Sequence, residues 1–466
     1  MALRLVLVFL SLLSITTLIG QEDFYFGVDL SYVNEVEDCG QSYAVAGTPR
    51  DPYAIFAEAG MDMVRLRLWH TPSWYDTLNA GQRYGDLADV QRSIRRAKEA
   101  GMKVLLDFHL SDTWADPGSQ LVPAAWLPVV EDVELLADSL HHYVYGTLSR
   151  LRSVGLQPDW VQLGNETNKG ILLSPEDNDT WTLDWSRNAQ LFRAAIQAVA
   201  DFESQWQTEV GTILHFAGPA EVEWLVAGFA ENGIVDYDFI GISYYWTWHQ
   251  PDGPRELGQV VRRLRQAHPA QRVLLLETAY PWTAAWQDEA NNIIQGTHPD
   301  FTPASPETQR DWLIELSQML LREGGSGLFY WEPAWLSTDC RTPWGRGSHF
   351  ENATFFDFSG ELLQPGGIDW PRYDYDRTPT GTVAVEGAGE WIHWLEGNQL
   401  QLRWPGAEVA HRELALYDAY GRLCGEWRSE GGTSSFSLAH LPAGLYHLRV
   451  RNLGGMPQRR TFFYQP

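Results

Sequence analysis

Basic side chains are scarce in this chain of 466 residues, and their scarcity argues against whole classes of partner. The 34 Lys and Arg residues are outnumbered by 60 Asp and Glu residues, so the formal net charge is -26. Recognition of nucleic-acid phosphates requires a surplus of Lys and Arg. The charge balance therefore argues against nucleic acids and polyanionic substrates, and it favours a neutral substrate.

Cysteines and long apolar runs are also scarce. Three cysteines allow at most one intrachain disulfide. A mostly apolar, uncharged run covers residues 5–19 after Arg4, whereas a membrane-spanning helix needs about 20 residues. The shorter length is typical of a signal peptide. We therefore predict that residues 1–20 are a signal peptide and that the protein is secreted or lies at the cell surface; an uncleaved anchor is the alternative.

Aromatic side chains, by contrast, are abundant, with 22 Trp residues. A Trp ring has a flat apolar face and a polar edge, which suits stacking on sugar rings. The alternative is that most of these rings fill the core of a large domain.

The body of the chain alternates short apolar segments with amphipathic ones, in which apolar residues recur at steps of three and four. Eight such units predict a (β/α)8 barrel, which we assign to residues 21–376. An open doubly wound sheet would usually carry a Gly-rich phosphate loop after its first strand, and none follows Leu30. The predicted strands are residues 24–30, 63–68, 103–109, 160–164, 210–216, 239–244, 272–276 and 327–330, and the amphipathic segments include 87–100, 130–154, 186–202, 254–268 and 306–322.

The last ninety residues follow a different pattern. Helical periodicity is replaced by short alternating strands that are separated by turn residues. We predict a separate, small all-β sandwich over residues 377–466, which supplies no catalytic group.

Polar residues follow the predicted barrel strands at their C-terminal ends, the face on which barrel enzymes carry their active sites. Glu166 ends the fourth strand and Glu277 the seventh, so the two face each other across the barrel mouth. Two carboxylates about 5–5.5 Å apart perform retaining glycoside cleavage, one as nucleophile and the other as acid and then base. Asn165 is placed to donate to a sugar hydroxyl and Tyr244 to hydrogen-bond Glu277. Arg67 would lower the pKa of Glu277.

Five sequence blocks at these strand ends resemble signatures of glycoside hydrolase family 53, the endo-β-1,4-galactanases. They stand in the family's order along the chain. The blocks are VRLRLW at 64–69, LDFHLSDTWADPG at 106–118, VQLGNE at 161–166, ETAYPW at 277–282 and FYWEPAW at 329–335. The resemblance implies a clan A barrel that cleaves β-1,4-galactan, the neutral side chain of pectin, with retention of the anomeric configuration.

By position, the resemblance implies that Glu166 is the acid/base and Glu277 the nucleophile. It also implies groups around the cleaved bond and stacking platforms beside it, and we add Asp112 to this set. The residues expected to bind substrate are Arg67, His109, Asp112, Trp114, Asn165, Tyr244, Trp282, Trp331 and Trp335.

Several of these residues have a structural alternative. Asp112 would instead pin the loop after the third strand by accepting hydrogen bonds from backbone amides. His109 would be a core histidine and Trp331 a plug of the barrel mouth. Arg65, which shares a strand face with Arg67, would be a buried ion-pair partner and not a ligand.

The chain departs from the family's pattern at two places. Residues 243–248 read SYYWTW where the family usually has Pro-Phe-Trp after Ser-Tyr-Tyr, so a distal subsite is expected to differ. Some bacterial members bind calcium in the loop after the seventh strand. Here residues 287–292 read QDEANN, and the ligand spacing does not match. We therefore expect no cofactor or metal, although oxygen ligands suited to calcium are present.

The predicted function is that of an endo-acting, retaining galactanase, a glycosidase that we expect to be a monomer. Two alternatives stay open. Another clan A β-1,4-glycanase, such as a mannanase or cellulase, would share both glutamates. A non-catalytic galactan-binding protein would share the fold alone.

The cysteines suggest one further hypothesis. Cys39 follows the first predicted strand and Cys340 the eighth. Because those strands are neighbours in a closed barrel, a disulfide between Cys39 and Cys340 is possible.

Three segments of the tail resemble the C-terminal sorting domains of type IX secretion substrates. They are LYDAYGRL at 416–423, LPAGLYHLRV at 441–450 and RTFFY at 460–464. The resemblance implies that an outer-membrane translocon recognises the tail, which is often removed. A carbohydrate-binding module is the alternative, with Trp391, Trp394 and Trp404 as its platform.

Overall fold

The computed structural model describes residues 23–180, 182–377, 392–396, 399–403, 411–418, 423–430, 433–441, 444–452 and 458–464. The chain divides into two compact units, residues 1–379 and 380–466. The predicted signal peptide, residues 1–20, lies outside the described residues.

Eight parallel strands of the first unit close into a barrel. Their order around the barrel follows their order along the chain, and the eighth strand pairs with the first. Each strand lies within one residue of its prediction, and the predicted (β/α)8 fold is confirmed. The strands are β1 (Tyr25–Asp29), β2 (Met63–Leu68), β3 (Lys103–Phe108), β4 (Trp160–Leu163), β5 (Gly211–Ala217), β6 (Phe239–Ser243), β7 (Arg272–Glu277) and β8 (Gly327–Tyr330).

One α-helix of eight or more residues follows each of β1 to β7 in the described part of this unit, and their apolar faces pack around the barrel. The 3-10 helix Gly367–Arg372 packs against the first and last of them and occupies the place of an eighth. The helices are α1 (Pro52–Ala59), α2 (Leu87–Glu99), α3 (Val133–Ser153), α4 (Trp185–Trp206), α5 (Val222–Glu231), α6 (Pro254–Ala267) and α7 (Pro306–Glu323). The loops add the short helices Val33–Asp38, Pro175–Asn178 and Trp246–His249.

Apolar side chains fill the barrel near the N-terminal ends of its strands. Successive residues of a strand point alternately into and out of the barrel, and all eight strands contribute to this inner layer. Gly27 leaves room for the ring of Phe329, because a Cβ atom on Gly27 would lie 2.2 Å from that ring. The layer consists of Tyr25, Met63, Leu105, Trp160, Ile213, Phe239, Leu274, Leu276 and Phe329.

Two residues further along the strands, the inward-facing side chains become polar. Arg65, Asp107, Gln162 and His215 each follow a member of the apolar layer by two positions, and all four are buried. Buried polar groups require hydrogen-bond partners. The upper half of the barrel is therefore a hydrogen-bonded network that rests on an apolar floor.

A β-bulge interrupts the alternation on β7. Ile242 of β6 pairs with Leu275, but the next residue, Ser243, pairs with Glu277. The extra residue shifts the side-chain direction along β7, so Glu277 points into the barrel directly after an inward-facing leucine. The bulge thus places a carboxylate at the barrel mouth.

The second unit contains two antiparallel sheets that share one apolar core, as the predicted all-β sandwich requires. The strands are β9 (Ile392–Glu396), β10 (Gln399–Arg403), β11 (His411–Asp418), β12 (Leu423–Glu430), β13 (Thr433–Ser437), β14 (Gly444–Asn452) and β15 (Gln458–Tyr464). One sheet has the strand order β9-β10-β13 and the other β12-β11-β14-β15.

A disulfide joins the loops that follow the first and last barrel strands. It links Cys39 to Cys340, whose Cα atoms are 5.8 Å apart. Within the described residues, none of the helices is both long enough and apolar enough to cross a membrane.

Candidate active site

A cavity of about 360 Å³ lies at the C-terminal ends of the barrel strands. Both predicted catalytic residues, Glu166 and Glu277, line it. So do six of the nine residues predicted to bind substrate: Arg67, His109, Trp114, Asn165, Trp331 and Trp335. Two carboxyl groups in one cavity are the feature from which the chemistry of the site follows.

Two hydrogen-bond donors hold the carboxylate of Glu277. Arg65 donates from Nη1 to Oε1 at 2.6 Å, and the Tyr245 hydroxyl donates to Oε2 at 2.9 Å. Burial raises the pKa of Glu277, and the charge of Arg65 and the bond from Tyr245 oppose that rise because they stabilise the ionised form. Both oxygens of Glu277 are therefore fixed by hydrogen bonds.

These contacts correct two sequence-based expectations, which had assigned Tyr244 and Arg67 to Glu277. The hydroxyl of Tyr244 instead donates to the backbone carbonyl of Asp252 at 2.6 Å. Neighbouring residues at a strand end point to opposite sides, and it is Tyr245 that reaches the carboxylate.

Arg65 is the centre of a buried ionic network. Its side chain forms ion pairs with Asp29 at 3.0 Å and Asp107 at 2.9 Å as well as with Glu277. Its Nη2 also donates to Oδ1 of Asn165 at 2.7 Å. A buried charge is stable only when it is paired, so the alternative interpretation of Arg65, as a buried ion-pair partner, is the one that the structure supports.

Arg67 lies two residues further along the same face of β2 and has different surroundings. Its guanidinium carbon lies 4.2, 4.3 and 4.8 Å from the ring centres of Trp69, Trp114 and Tyr32, and Nη1 is 3.8 Å from Oε1 of Glu332. Neither Nε nor Nη1 has a hydrogen-bond partner among the described residues. Both atoms are themselves buried, although the Arg67 side chain as a whole lines the cavity.

Glu166 adopts a left-handed backbone conformation, with φ of 47°. This conformation is uncommon for residues other than glycine and is found at functional sites. Burial, followed by the charge of Glu277, raises the pKa of Glu166 to about 8. A raised pKa is what a general acid requires, because its proton must still be present when the leaving group departs.

Asn165 is fixed beside the two glutamates. Its Oδ1 accepts hydrogen bonds from Arg65 and from Nε2 of Gln162, at 2.7 and 3.0 Å. Its Nδ2 donates one hydrogen to the carbonyl of Ala115 at 2.8 Å. The second amide hydrogen remains for a sugar hydroxyl.

Tryptophan rings form much of the remaining cavity wall. The ring centres of Trp114 and Trp331 are 6.0 Å apart, and Trp335 lies 5.9 Å from Trp331. Trp248 and Trp344, which were not among the predicted site residues, also line the cavity and are 52% and 42% exposed. Their exposed faces are suited to stacking on sugar rings.

Trp282 and Asp112 lie outside the cavity lining, contrary to expectation. The indole nitrogen of Trp282 donates to the carbonyl of Glu351 at 3.1 Å. The carboxylate of Asp112 accepts hydrogen bonds from the backbone amides of Thr71 and Ala124, each at 2.9 Å. Asp112 therefore pins its loop, which was the alternative interpretation from the sequence.

Sequence reasoning gave no role to most of the network beneath the cavity. Asp107, Gln162 and Ser243 were not selected, because each is an ordinary polar residue within a strand. A usable signal was the two-residue alternation, which places Asp107 on the face that carries His109. The two side chains are in fact hydrogen-bonded, with Nδ1 of His109 3.0 Å from Oδ2 of Asp107.

In the loop considered for calcium, the carboxylate of Asp288 is used within the protein, whereas neither side-chain polar atom of Asn292 has a hydrogen-bond partner among the described residues. Oδ2 of Asp288 accepts a hydrogen bond from the backbone amide of Ser348 at 2.6 Å, and Oδ1 accepts one from the backbone amide of Ala290 at 2.7 Å. In the described part of the chain, His, Cys, Asp and Glu side chains form no group of three that could hold a metal ion. Activity without a metal stays a prediction.

Comparison with known proteins matches the chain to one family. Residues 25–365 match the family described as "Glycosyl hydrolase family 53". An arabinogalactan endo-beta-1,4-galactanase of Cellvibrio japonicus (strain Ueda107) is 44% identical over 336 residues, which are 72% of this chain and 86% of that protein.

Two solved structures share the fold along most of their length. The Ignisphaera aggregans GH53 catalytic domain superposes with a TM-score of 0.67 at 31% identity, covering 76% of this chain and 97% of that one. A structure from a study of two fungal beta-1,4-galactanases superposes with a TM-score of 0.62 at 27% identity, covering 75% and 98%. The barrel, its ordered motifs and its two glutamates thus belong together, and the chain is a member of glycoside hydrolase family 53.

Proposed function

We propose that this protein is an endo-acting, retaining β-1,4-galactanase that hydrolyses galactan and arabinogalactan side chains of pectin. The observation that carries the proposal is the contrast between the two carboxyl groups of one cavity. Glu277 receives hydrogen bonds at both oxygens, whereas the pKa of Glu166 is raised to about 8. One group is prepared to attack and the other to give up a proton. The activity of the Cellvibrio relative supports the choice of substrate.

In the first step, an oxygen of Glu277 attacks the anomeric carbon of the galactose that occupies the cavity. Glu166 gives its proton to the glycosidic oxygen while the bond between that oxygen and the anomeric carbon breaks. The products are a galactosyl ester on Glu277 and a shortened chain with a free hydroxyl. Ester formation removes the charge of Glu277, and with it one cause of the raised pKa of Glu166.

In the second step, Glu166 is ionised and accepts a proton from a water molecule. The water oxygen attacks the anomeric carbon, and the ester bond to Glu277 breaks. Arg65 and Tyr245 stabilise the carboxylate that is released, because both donate to it in the resting structure. Two successive inversions at one carbon give overall retention.

The substrate is held by donors and by flat rings. Arg67 and Asn165 supply N–H groups next to the two glutamates. Trp114, Trp331 and Trp344 supply ring faces on the cavity wall, which fits an enzyme that binds several units of a polymer.

The test is reducing-sugar release by the full chain from linear β-1,4-galactan, with mannan and cellulose beside it and products sized by chromatography. We expect short galacto-oligosaccharides from galactan alone. Release from mannan or cellulose would favour another clan A glycanase, and galactan binding without release would favour a binding protein. Glu277→Ala is the matched control, in which turnover is lost and binding is kept.

We also propose that the protein is exported as a monomer and that the second unit directs its sorting by an outer-membrane translocon. The tail motifs and the separate apolar core of that unit support this proposal. Trp391, Trp394 and Trp404, the platform of the alternative carbohydrate-binding module, lie outside the described side chains. Secretion that stops when residues 377–466 are deleted would support sorting, and galactan binding by a reporter fused to them would support the module.

A further inference from the structure

The loop after β6 carries one of the exposed tryptophans of the cavity. Its single helical turn, Trp246–His249, directs successive side chains towards different neighbours. The ring of Trp248 lines the cavity and packs edge-on against Tyr245, with ring centres 4.7 Å apart. Because Trp248 is 52% exposed, its position in the cavity wall depends largely on how firmly the turn is held.

The hydroxyl of Thr247 ties this turn to the loop after β7. It donates a hydrogen bond to the backbone carbonyl of Gln295 at 2.7 Å and accepts one from the backbone amide of the same residue at 3.1 Å. A hydroxyl has one hydrogen and two acceptor sites, so this one group pairs with both backbone polar groups of Gln295. Trp246 adds a second contact, because its ring centre lies 4.5 Å from that of His298.

The loop after β7 is itself anchored, so the bonds of Thr247 attach the turn to a fixed support. The backbone amide of Ile293 donates to the carbonyl of His349 at 2.9 Å, and Nδ2 of Asn352 donates to the carbonyl of Ile294 at 2.8 Å. Ile294 is buried, whereas Ile293 lines the cavity. Thr247 therefore connects the tryptophan of one loop to the isoleucine of the next, and both belong to the same cavity wall.

We propose that Thr247 is a positioning residue for substrate binding, which holds the ring of Trp248 in the cavity wall so that a galactose unit can stack on it. Thr247 lies in the segment that departs from the family's usual Pro-Phe-Trp. A phenylalanine at that place has no hydroxyl and would form neither bond to Gln295. The inference rests on the proposed function only in naming galactan as the chain that is bound.

Thr247→Val tests the proposal, because valine keeps the shape of threonine and lacks the hydroxyl. We expect KM for galactan to rise about threefold to tenfold, the effect of losing one net hydrogen bond. The change in kcat should be less than about twofold, because the hydroxyl bonds Gln295 and neither glutamate. Thr247→Ser keeps the hydroxyl and should keep the parent KM.

Thr208→Val is the matched control. Thr208 is half-buried like Thr247, but its hydroxyl accepts a hydrogen bond from Gln157 at the N-terminal end of the barrel, at 2.9 Å. Its KM should equal that of the parent. Should Thr247→Val fail to fold, Thr247→Ala removes the same hydroxyl with less bulk, and the same rise in KM is expected.

A double-mutant cycle with Trp248→Ala determines whether Thr247 acts through the ring. Trp248→Ala should raise KM by itself, and Thr247→Val should raise it no further in that background. The proposal would be overturned by an unchanged KM in Thr247→Val or in Trp248→Ala. It would also be overturned if Thr247→Val had the same effect with and without the ring, or if Thr247→Ser or Thr208→Val raised KM as much.

Calorimetric binding of galacto-oligosaccharides to Glu277→Ala, with and without Thr247→Val, measures the same effect without turnover. We expect the affinity to fall by the factor by which KM rises, and equal affinities would contradict the role of Thr247. If the parent released no sugar but Thr247→Val still weakened binding, the proposed function would be refuted and the role of Thr247 would stand.

Discussion

The two arginines of β2 differ in function although they are only two positions apart. Arg65 is surrounded by three carboxylates, and Arg67 is surrounded by aromatic rings and has two buried nitrogen donors without a hydrogen-bond partner among the described residues. The alternation of a strand puts both on the inner face. The two arginines differ in their position along the barrel axis, because Arg65 lies next to the apolar layer and Arg67 lies nearer the mouth. The sequence of one strand does not reveal where the apolar layer ends.

Removal of a single hydroxyl tests the assignment of the partner of Glu277. We expect Tyr245→Phe to lower kcat by about 10- to 100-fold, the loss of one hydrogen bond to a charged group of about 1.5–3 kcal/mol. Tyr244→Phe is the adjacent control, because its hydroxyl contacts the carbonyl of Asp252, and its kcat should stay near the parent value. Equal losses in the two variants, measured by initial rates on galactan, would contradict the assignment.

A buried carboxyl group beside the barrel mouth should make stability depend on pH. Oε1 of Glu351 accepts the amide of Gln287 at 2.6 Å, and burial raises the pKa of Glu351 to about 7. Because the folded-state pKa exceeds the unfolded value, the contribution of Glu351 to stability is complete at low pH and is lost as the pH rises towards 7.

We therefore expect the difference in unfolding free energy between Glu351→Gln and the parent to change with pH. It should favour the variant by about 2 kcal/mol more at pH 8 than at pH 5. Urea unfolding at the two pH values measures the difference, and Glu99→Gln, on an exposed position of α2, is the control. A stability difference that did not change with pH would show that Glu351 does not titrate in this range.

At the scale of an element, the loop after β8 is fixed at several points. It forms a hairpin from Arg341–Thr342 and Gly345–Arg346. The side chain of Asn79 pairs with both backbone polar groups of Arg341, at 2.7 and 2.9 Å, and Cys340 is tied by its disulfide. These contacts hold Trp344 beside Trp74 at the cavity, with ring centres 5.2 Å apart.

The hairpin leads to a prediction about binding. We expect Trp344→Ala to raise KM for galactan about tenfold with kcat little changed, because a stacked sugar away from the cleaved bond is bound equally in the ground and transition states. Trp286→Ala is the matched control, since Trp286 is 58% exposed and is not part of the cavity lining. A fall in kcat with constant KM would place Trp344 at the reacting sugar instead.

Regular elements were predictable from the sequence and their irregularities were not. Strand positions followed from apolar runs and helix positions from their periodicity, since local patterning determines both. The bulge that turns Glu277 inward and the left-handed backbone of Glu166 depend on contacts with other strands. The sequence blocks identified both glutamates, but the choice of Tyr245 over Tyr244 required the observed direction of each side chain.

At the scale of the whole molecule, the cavity belongs to the first unit, and each unit has its own apolar core. We therefore expect residues 21–376 alone to keep the kcat and KM of the full chain on galactan. Activity assays on both forms, with thermal unfolding to establish that the shorter chain is folded, make the comparison. A folded but inactive fragment would show that the second unit contributes to catalysis.

The disulfide between Cys39 and Cys340 joins residues that are 301 positions apart, and this span has a topological consequence. The intervening chain is a covalent ring that contains both Glu166 and Glu277. A protease that cuts one exposed loop opens the ring into a line, but every residue stays attached to the same molecule. Two cuts are needed before any part of the catalytic ring can be released, so a nicked molecule keeps both glutamates in one covalent chain.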